Sequence, residues 1–367
     1  MIGPRRRASW SDWLSEPPER TSPRRPAIAS ATRRLRVLSL HRTAPVSPHL
    51  EVETDTWDVL PEDVGAGSLY EAVARVALGA GQTGRMTLDT IVRLGRISNL
   101  PTVWTNALAG AVLATGGLPE PSAILIACLA LTLFYEGGMW LNDAFDAEID
   151  ARERANRPIP NREIARSKVF LGGGLMLASG LVVAFASGGA AGLVGIGLVL
   201  AVVLYDWLHK RTALSSVLMG AARFLSYLLG AAAAGSINGM VLIGALGLFA
   251  HVVGLTYAAR QEAYDRIGNA WPLVTLAMAF IIALTLGFGH PMGLGATVLL
   301  AGAMAYALHR LFRRAKGDVP VAVVTLIAGI SLYDAALIGG TGLPWLALLA
   351  VAGFALTLLL QRIASGT

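Results

Sequence analysis

The residues best suited to chemistry lie in the stretch 135–163, where an apolar segment ends in four polar positions: Asn142, Asp143, Asp146 and Asp150. On a helix, Asn142, Asp146 and Asp150 share one stripe, and Asp143 lies on the same side, three residues before Asp146. Like charges on one helix face repel each other, so a bound cation that neutralises them explains the pattern. Magnesium takes oxygen ligands and shares them with substrate phosphates. The stretch therefore predicts a magnesium site.

Basic residues follow this acidic stripe and recur at the end of a later apolar run. Arg154 and Arg157 stand at a Pro-Ile-Pro turn, 158–160. Because prolines end helices and stiffen loops, we expect these arginines to be held near the carboxylates. Lys210 and Arg211 close the segment 205–211, and such an adjacent pair can neutralise phosphate oxygens. The alternative for all four is a solvated loop that sets membrane topology.

A weaker acidic pattern lies in residues 257–268. Glu262 and Asp265 are three residues apart, and Gln261 and Asp265 are four apart, so either pair can share a helix face. The pattern predicts a second set of metal ligands facing the first. The alternative is an interfacial loop with balanced charges.

The elements that must hold these side chains are membrane-spanning helices. Of the 367 residues, 54% are hydrophobic and only 15% are charged, which is typical of a polytopic membrane protein. The single cysteine, Cys128, lies inside an apolar run and excludes both an intrachain disulfide and a thiolate metal site. We predict an all-α, polytopic transmembrane helical bundle of nine to ten spans. The count is left open because the breaks at 188–189 and 339–342 are short. The runs are 98–116, 122–142, 168–187, 190–208, 213–235, 239–258, 271–289, 293–311, 320–338 and 344–361.

Lysine and arginine alternate between the connections. Arg93 and Arg96 precede the first span, and Lys or Arg occurs in every second connection after it, whereas the intervening connections, such as those around Glu120 and His290, carry none. The net charge of +6 therefore indicates orientation rather than nucleic-acid binding. The pattern predicts that both termini are cytoplasmic, together with the polar loops 143–167, 205–212 and 259–270.

Residues 1–90 differ in composition from the remainder. They are rich in Arg, Pro and Ser and contain no long apolar run. We predict that this segment is a basic, disordered cytoplasmic extension and that residues 91–367 form the transmembrane domain. An alternative is that translation starts at Met86, immediately before the first membrane segment.

With these motifs, the chain resembles the UbiA superfamily of intramembrane prenyltransferases. Residues 142–150 match the family motif N-D-x-x-D-x-x-x-D in full, residues 154–160 are similar to its continuation, and 205–211 resembles its Tyr-x-x-x-x-Lys-Arg stretch. The resemblance covers about residues 90–340. The second family motif, D-x-x-x-D, is altered, because Gln261 stands at its first position and Asp265 at its second. In this respect the chain resembles divergent UbiA-like proteins of bacterial gene clusters.

The resemblance implies transfer of an isoprenyl group from a prenyl diphosphate to a lipophilic or aromatic acceptor, with Mg²⁺ as cofactor. It implies one magnesium held by Asn142, Asp143 and Asp146, and another held by Asp265 with Glu262 or Asp150. The diphosphate would be bound by Arg154, Arg157, Lys210 and Arg211. Asp143, Asp146 and Lys210 would act directly in catalysis, through the charge that develops on the departing pyrophosphate.

The resemblance also implies an integral protein of a bacterial plasma membrane, with both termini and the active site on the cytoplasmic side. Its partners would be the prenyl diphosphate, the acceptor and the lipid bilayer, with no nucleic acid. The alternative function is that of a catalytically inactive UbiA-like protein that binds or carries isoprenoid lipids, because the second metal motif is incomplete.

Overall fold

The chain folds into a bundle of α-helices. The computed structural model describes residues 87–209, 212, 214–260, 270 and 273–363. In those ranges it contains no β-strand and eleven α-helices, one of them short. They are α1 (Leu88–Gly95), α2 (Leu100–Thr115), α3 (Pro121–Glu153), α4 (Arg166–Ala186), α5 (Gly189–Leu208), α6 (Ser215–Ala233), α7 (Gly239–Arg260), α8 (Val274–Gly287), α9 (Pro291–Arg313), α10 (Asp318–Gly340) and α11 (Pro344–Ile363).

Helices α2 to α11 correspond in order to the ten predicted spans. Eight of them are long and apolar enough to cross a membrane, whereas α2 and α8 are shorter, at 16 and 14 residues. Apolar runs predict helices well here because hydrocarbon offers no partner for backbone N–H and C=O groups, which must bond within the segment. The prediction of an all-α membrane bundle is confirmed. The predicted boundary at residue 90 stays a prediction, since residues 1–86 lie outside the described ranges.

Helix α3 is longer than the predicted span that it contains. The predicted run ended at Asn142, but the helix continues to Glu153 and has 33 residues. At 1.5 Å per residue it is about 50 Å long, well beyond the ~30 Å hydrocarbon thickness of a bilayer. The whole acidic stripe therefore lies on the last turns of one continuous helix, where it can emerge from the apolar part of the bundle.

A sharp turn joins α1 to the bundle. Helix α1 ends at Gly95, and the next residue, Arg96, has a φ of 47° and a ψ of 48°, in the left-handed region. A 3₁₀ turn, Ile97–Asn99, then leads into α2. Left-handed backbone is uncommon for a residue other than glycine. This turn directs the Arg96 side chain towards the acidic end of α3, which it contacts.

Close backbone contact joins α2 and α6. A Cβ atom on Gly110 would overlap the Tyr227 carbonyl, and a Cβ on Gly230 would overlap the Ala107 carbonyl. Small residues allow helices to approach this closely in membrane bundles. Helix α10 lies in the bundle interior, with 83% of its most apolar window buried. These contacts bring polar residues of α2, α6 and α10 together beneath the acidic stripe.

Candidate active site at the end of α3

The four polar residues of the predicted stripe are buried on the last turns of α3. Asn142, Asp143, Asp146 and Asp150 are 5, 3, 8 and 4% exposed, respectively. The helical spacing expected from the sequence is therefore present. Buried carboxylates are costly unless they are paired or coordinate a cation. Their partners define the site.

Two arginines meet at one oxygen of Asp143. Arg157 Nη1 donates to Asp143 Oδ1 at 2.7 Å, and Arg96 Nη2 donates to the same oxygen at 3.1 Å. Arg157 Nε also lies 3.8 Å from Asp150 Oδ2. The predicted placement of Arg157 beside the carboxylates is confirmed. Arg96, 47 residues before Asp143 in the chain, was assigned only a topology role from the sequence.

The two guanidinium groups respond differently to this setting. Burial works to lower the pKa of Arg96, but the charge and hydrogen bond of Asp143, together with Tyr135 and Tyr205, outweigh it and the pKa is raised. For Arg157, burial and the positive charge of Arg96 lower the pKa, with Asp143 and Asp150 opposing them. The positive charge of one arginine thus disfavours that of the other. A further anion close to both would relieve this repulsion.

A histidine and a fourth carboxylate extend the site onto the end of α5. His209 Nε2 lies 3.1 Å from Asp146 Oδ2, and the Tyr205 ring stacks on the His209 ring at 5.2 Å between centroids. Asn142 Nδ2 donates to Asp206 Oδ1 at 3.1 Å. The other oxygen of Asp206 is buried and has no hydrogen-bond partner among the described residues.

The loop after α3 is fastened to α1 by Glu163. Its Oε1 accepts from Arg93 Nη2 at 2.6 Å, and its Oε2 accepts from the Thr90 hydroxyl at 2.9 Å. Burial works to raise the pKa of Glu163, but the hydrogen bonds from Asn161, Thr90 and Arg93 outweigh it, so the pKa is lowered. This contact fixes the two segments that carry Arg96 and Arg157. Glu163 is therefore well placed to hold both arginines in register with α3.

A cavity of about 270 Å³ opens beside the stripe. Three of the four stripe residues line it, together with three arginines from the segment after α3 and the turn after α1: Asn142, Asp146, Asp150, Arg96, Arg154 and Arg157. A narrower, mostly apolar cavity lies next to it between α2, α3, α5 and α6. Residues common to both walls are Tyr135, Met139, Tyr205, Met219 and Arg223. The larger cavity also has an apolar wall, formed by α7 and α10, opposite its charged residues. We call it the polar chamber for these charges, and it adjoins the smaller apolar pocket.

The oxygen ligands of the polar chamber fit magnesium. Carboxylate and amide oxygens line it, and the buried Asp206 oxygen without a partner lies next to Asn142. In the part of the chain that the structure describes, no three His, Cys, Asp or Glu side chains converge closely enough to hold a metal unaided. Magnesium commonly binds through one or two carboxylates while substrate phosphates and water supply the other ligands. This chamber suits that mode of binding.

Several predicted site residues lie outside the described ranges. These are Lys210, Arg211, Gln261, Glu262 and Asp265, so the basic pair and the second metal motif remain predictions.

Four residues near the cavities were not assigned to the site from the sequence: Arg96, Asp206, His209 and Arg223. Asp206 and His209 had one available signal, because they lie three residues apart at the polar end of a predicted span. An arginine inside an apolar run, as at Arg223, is itself a signal of function.

The arrangement defines an intramembrane protein whose polar chamber opens at one end of a helical bundle and continues into an apolar pocket. The chain belongs to the UbiA prenyltransferase family, whose family model matches residues 103–323.

A relative, the digeranylgeranylglyceryl phosphate synthase of Pyrococcus horikoshii, is 28% identical over 163 residues, which are 44% of this chain and 58% of that protein. The aligned region thus spans well under two thirds of the relative. A solved structure of a digeranylgeranylglyceryl phosphate synthase in membranes is similar with a TM-score of 0.54 and 19% identity, covering 69% of this chain and 98% of that one. A UbiA homologue from Archaeoglobus fulgidus, bound to GPP and Mg²⁺, matches with a TM-score of 0.45 and 15% identity over 73% and 99% of the two chains. The likeness to the synthase structure is one of fold.

Proposed function

We propose that the protein transfers an isoprenyl group from a prenyl diphosphate to a lipophilic or aromatic acceptor, with Mg²⁺. The observation that carries the proposal is the polar chamber itself. Carboxylates and guanidinium groups line it together, and an apolar pocket adjoins it. A molecule with a highly charged head and a long hydrocarbon tail matches this pairing.

The head group would bind at the arginines. Arg96, Arg154 and Arg157 line the chamber, and planar guanidinium groups suit phosphate oxygens. Asp143 contacts Arg96 and Arg157 and does not line the chamber. We therefore assign it the role of positioning these arginines, in addition to the metal-binding role expected from the motif. Lys210 and Arg211 remain proposed diphosphate ligands.

Magnesium would be held by Asn142, Asp146 and Asp150, whose side chains line the chamber. When bound, the metal supplies positive charge against the negative charge that grows on the leaving pyrophosphate. Glu262 and Asp265 remain the proposed ligands of a second ion. In this division Arg96 and Arg157, both held by Asp143, would orient the head group beside the metal ligands.

The apolar pocket would hold the prenyl chain and keep water from the reacting carbon. The bond between prenyl C1 and the diphosphate oxygen breaks, and its electron pair leaves with pyrophosphate. The acceptor nucleophile donates the pair that forms the new bond and then loses its proton. The rings of Tyr135 and Tyr205 lie on the wall common to both cavities. They are placed to stabilise positive charge on the allylic group through their π faces.

We also propose that the site and both termini face the cytoplasm of a bacterial cell. The alternation of Lys and Arg between connections supports this orientation.

The test of function is turnover by the purified full-length protein. The protein is incubated with Mg²⁺, radiolabelled geranylgeranyl diphosphate and a panel of acceptors, and both pyrophosphate and prenylated product are measured. We expect turnover that Asp146→Ala abolishes and that exposed Arg314→Gln leaves unchanged. Tight diphosphate binding without turnover across the panel would reject the transferase and favour a carrier of isoprenoid lipids.

A further inference from the structure

A second charged group lies deeper in the bundle than the aspartate stripe. Arg223 is the ninth residue of α6, so its Cα is about 12 Å along the helix from Ser215, the end nearest His209. Its side chain lines both the polar chamber and the apolar pocket. The diphosphate and magnesium sites proposed above do not use it.

A buried chain of hydrogen bonds holds Arg223 in place. Its Nη1 donates to Asn106 Oδ1 at 2.8 Å, and Asn106 Nδ2 donates to Asp334 Oδ2 at 2.8 Å. The hydroxyl of Tyr227 donates to Asp334 Oδ1. Asn106, Tyr227 and Asp334 are fully buried. Because the Asn106 amide is held at both ends, the guanidinium group is fixed in one orientation.

This chain of hydrogen bonds leaves the charge of Arg223 without a direct counter-ion among the described residues. Both oxygens of Asp334 already accept hydrogen bonds from Asn106 and Tyr227. Within the described ranges, Arg223 makes this single hydrogen bond and no salt bridge. A guanidinium group has five N–H donors, so most of them remain available at the cavity wall. An arginine inside a membrane bundle normally faces a partner or a ligand pathway. Among the described residues Arg223 has no such charged partner, and its side chain lies on the wall of both cavities.

We propose that Arg223, oriented by Asn106 and Asp334, binds the carboxylate or phosphate of an anionic acceptor. The inference rests on the proposed prenyl transfer, because it names the acceptor of that reaction by its chemical class. An acceptor bound at Arg223 would lie beside the apolar pocket, where the reacting end of the prenyl chain meets the polar chamber.

The chemistry of the reaction favours the acceptor over the donor as the source of this anion. The donor head group already has Arg96, Arg154 and Arg157 at the mouth of the chamber. The allylic group becomes positive as pyrophosphate leaves, and an uncompensated guanidinium group nearby would raise the barrier in a low-dielectric pocket. An anionic acceptor removes that repulsion when it binds. Arg223 would thus make reaction depend on an acidic acceptor, which gives selectivity against neutral lipids.

The test compares acceptor-like probes that differ only in one anionic group. One pair is an O-alkylglycerol phosphate and the uncharged O-alkylglycerol; the other is a hydroxybenzoate and its methyl ester. Binding to full-length protein in detergent is measured by calorimetry, with Mg²⁺ and the unreactive analogue geranylgeranyl thiodiphosphate present. We expect the wild type to prefer the anionic member of at least one pair. Arg223→Gln should weaken binding of that member by about 10- to 100-fold, the range for a hydrogen bond to a charged group.

Three comparisons make the result specific. Binding of the neutral probe and of the thiodiphosphate should stay unchanged in Arg223→Gln. Arg223→Lys should recover part of the affinity, because it keeps the charge and loses the planar fork. It also serves as the folded variant if Arg223→Gln fails to elute as a monodisperse protein. Arg314→Gln, which removes an exposed arginine, should match the wild type.

Three outcomes overturn the proposal. If Arg223→Gln weakens binding of both members of a pair equally, Arg223 is a packing residue. If it weakens binding of the thiodiphosphate alone, Arg223 belongs to the donor site. If the wild type prefers neither anionic probe, there is no anion site. Failure of the prenyl transfer would be recognised separately. In that case anion-selective binding persists, but the wild type releases no pyrophosphate with any acceptor.

Discussion

Asp143 joins the two arginines of the site, and its replacement by asparagine measures how much that junction stabilises the protein. One oxygen of Asp143 accepts from Arg157 at 2.7 Å and from Arg96 at 3.1 Å. The Asp143 side chain is 4% exposed, whereas those of Arg157 and Arg96 are 17 and 19% exposed. Asp143→Asn keeps the size and one acceptor oxygen but removes the charge.

The expected loss of stability is intermediate between two limits. Breaking a fully buried ion pair costs about 3–5 kcal/mol, and a hydrogen bond to a charged group contributes about 1.5–3 kcal/mol. Asparagine still accepts a hydrogen bond, and both arginines retain some contact with solvent. We therefore expect Asp143→Asn to lower the free energy of unfolding by about 2–3 kcal/mol.

A double-mutant cycle isolates the contact with Arg157. The free energy of unfolding in detergent is measured for wild type, Asp143→Asn, Arg157→Gln and the double variant. We expect a coupling energy of about 1.5–3 kcal/mol, because the pair is short and buried. The control cycle uses Arg166 and Glu148, a 2.9 Å pair whose side chains are 41 and 76% exposed and which should couple by less than about 1 kcal/mol. A coupling for Asp143 and Arg157 no larger than that of the control would refute the reasoning.

Three further predictions concern the loop anchor, the helix contact and the topology. Glu163 has a lowered pKa, so its contribution to stability is present above the usual value of 4.5 and is lost as the pH falls through its lowered pKa. The difference in melting temperature between wild type and Glu163→Gln should therefore shrink on acidification below pH 4.5. A difference that stays constant with pH would contradict this prediction. Gly110→Ala should lower the free energy of unfolding by about 1–3 kcal/mol because its Cβ overlaps a carbonyl of α6, whereas Gly174→Ala, whose Cβ meets open space, should not. In a protein whose native cysteine is replaced by serine, an impermeant maleimide should label Arg314→Cys only from the cytoplasmic side and Leu118→Cys only from the opposite side. Labelling of both cysteines from the same side would reject the topology.

The sequence predicts the helices of this protein much better than their contacts. Apolar runs fix the spans because every backbone polar group in a membrane must bond within its helix. The spacing of Asn142, Asp146 and Asp150 also predicts their common face, since that depends only on helix geometry. The predicted span ends at Asn142, where the apolar run ends, whereas the helix that carries the stripe continues to Glu153.

The partners of the stripe depend on distances between segments that no local pattern encodes. Arg96 reaches Asp143 because its own backbone is in the left-handed conformation at the end of α1, and because Glu163 fastens the loop after α3 to α1. Asp334 is an ionisable residue inside an apolar span. Its partners come from α2 and α6, whose glycines permit the close approach. Such partners become visible only when the helices are packed.

In the proposed reaction, the charges of the described site would couple phosphate binding to metal binding. Four carboxylates and four guanidinium groups lie at or beside the two cavities: Asp143, Asp146, Asp150 and Asp206 with Arg96, Arg154, Arg157 and Arg223. Without a cation, the stripe and a diphosphate repel each other in a setting where water screens poorly. Yet Arg96 and Arg157 together favour an additional anion. We infer that a divalent ion, if held by the stripe, would offset this repulsion, so that binding of the diphosphate would depend on the metal.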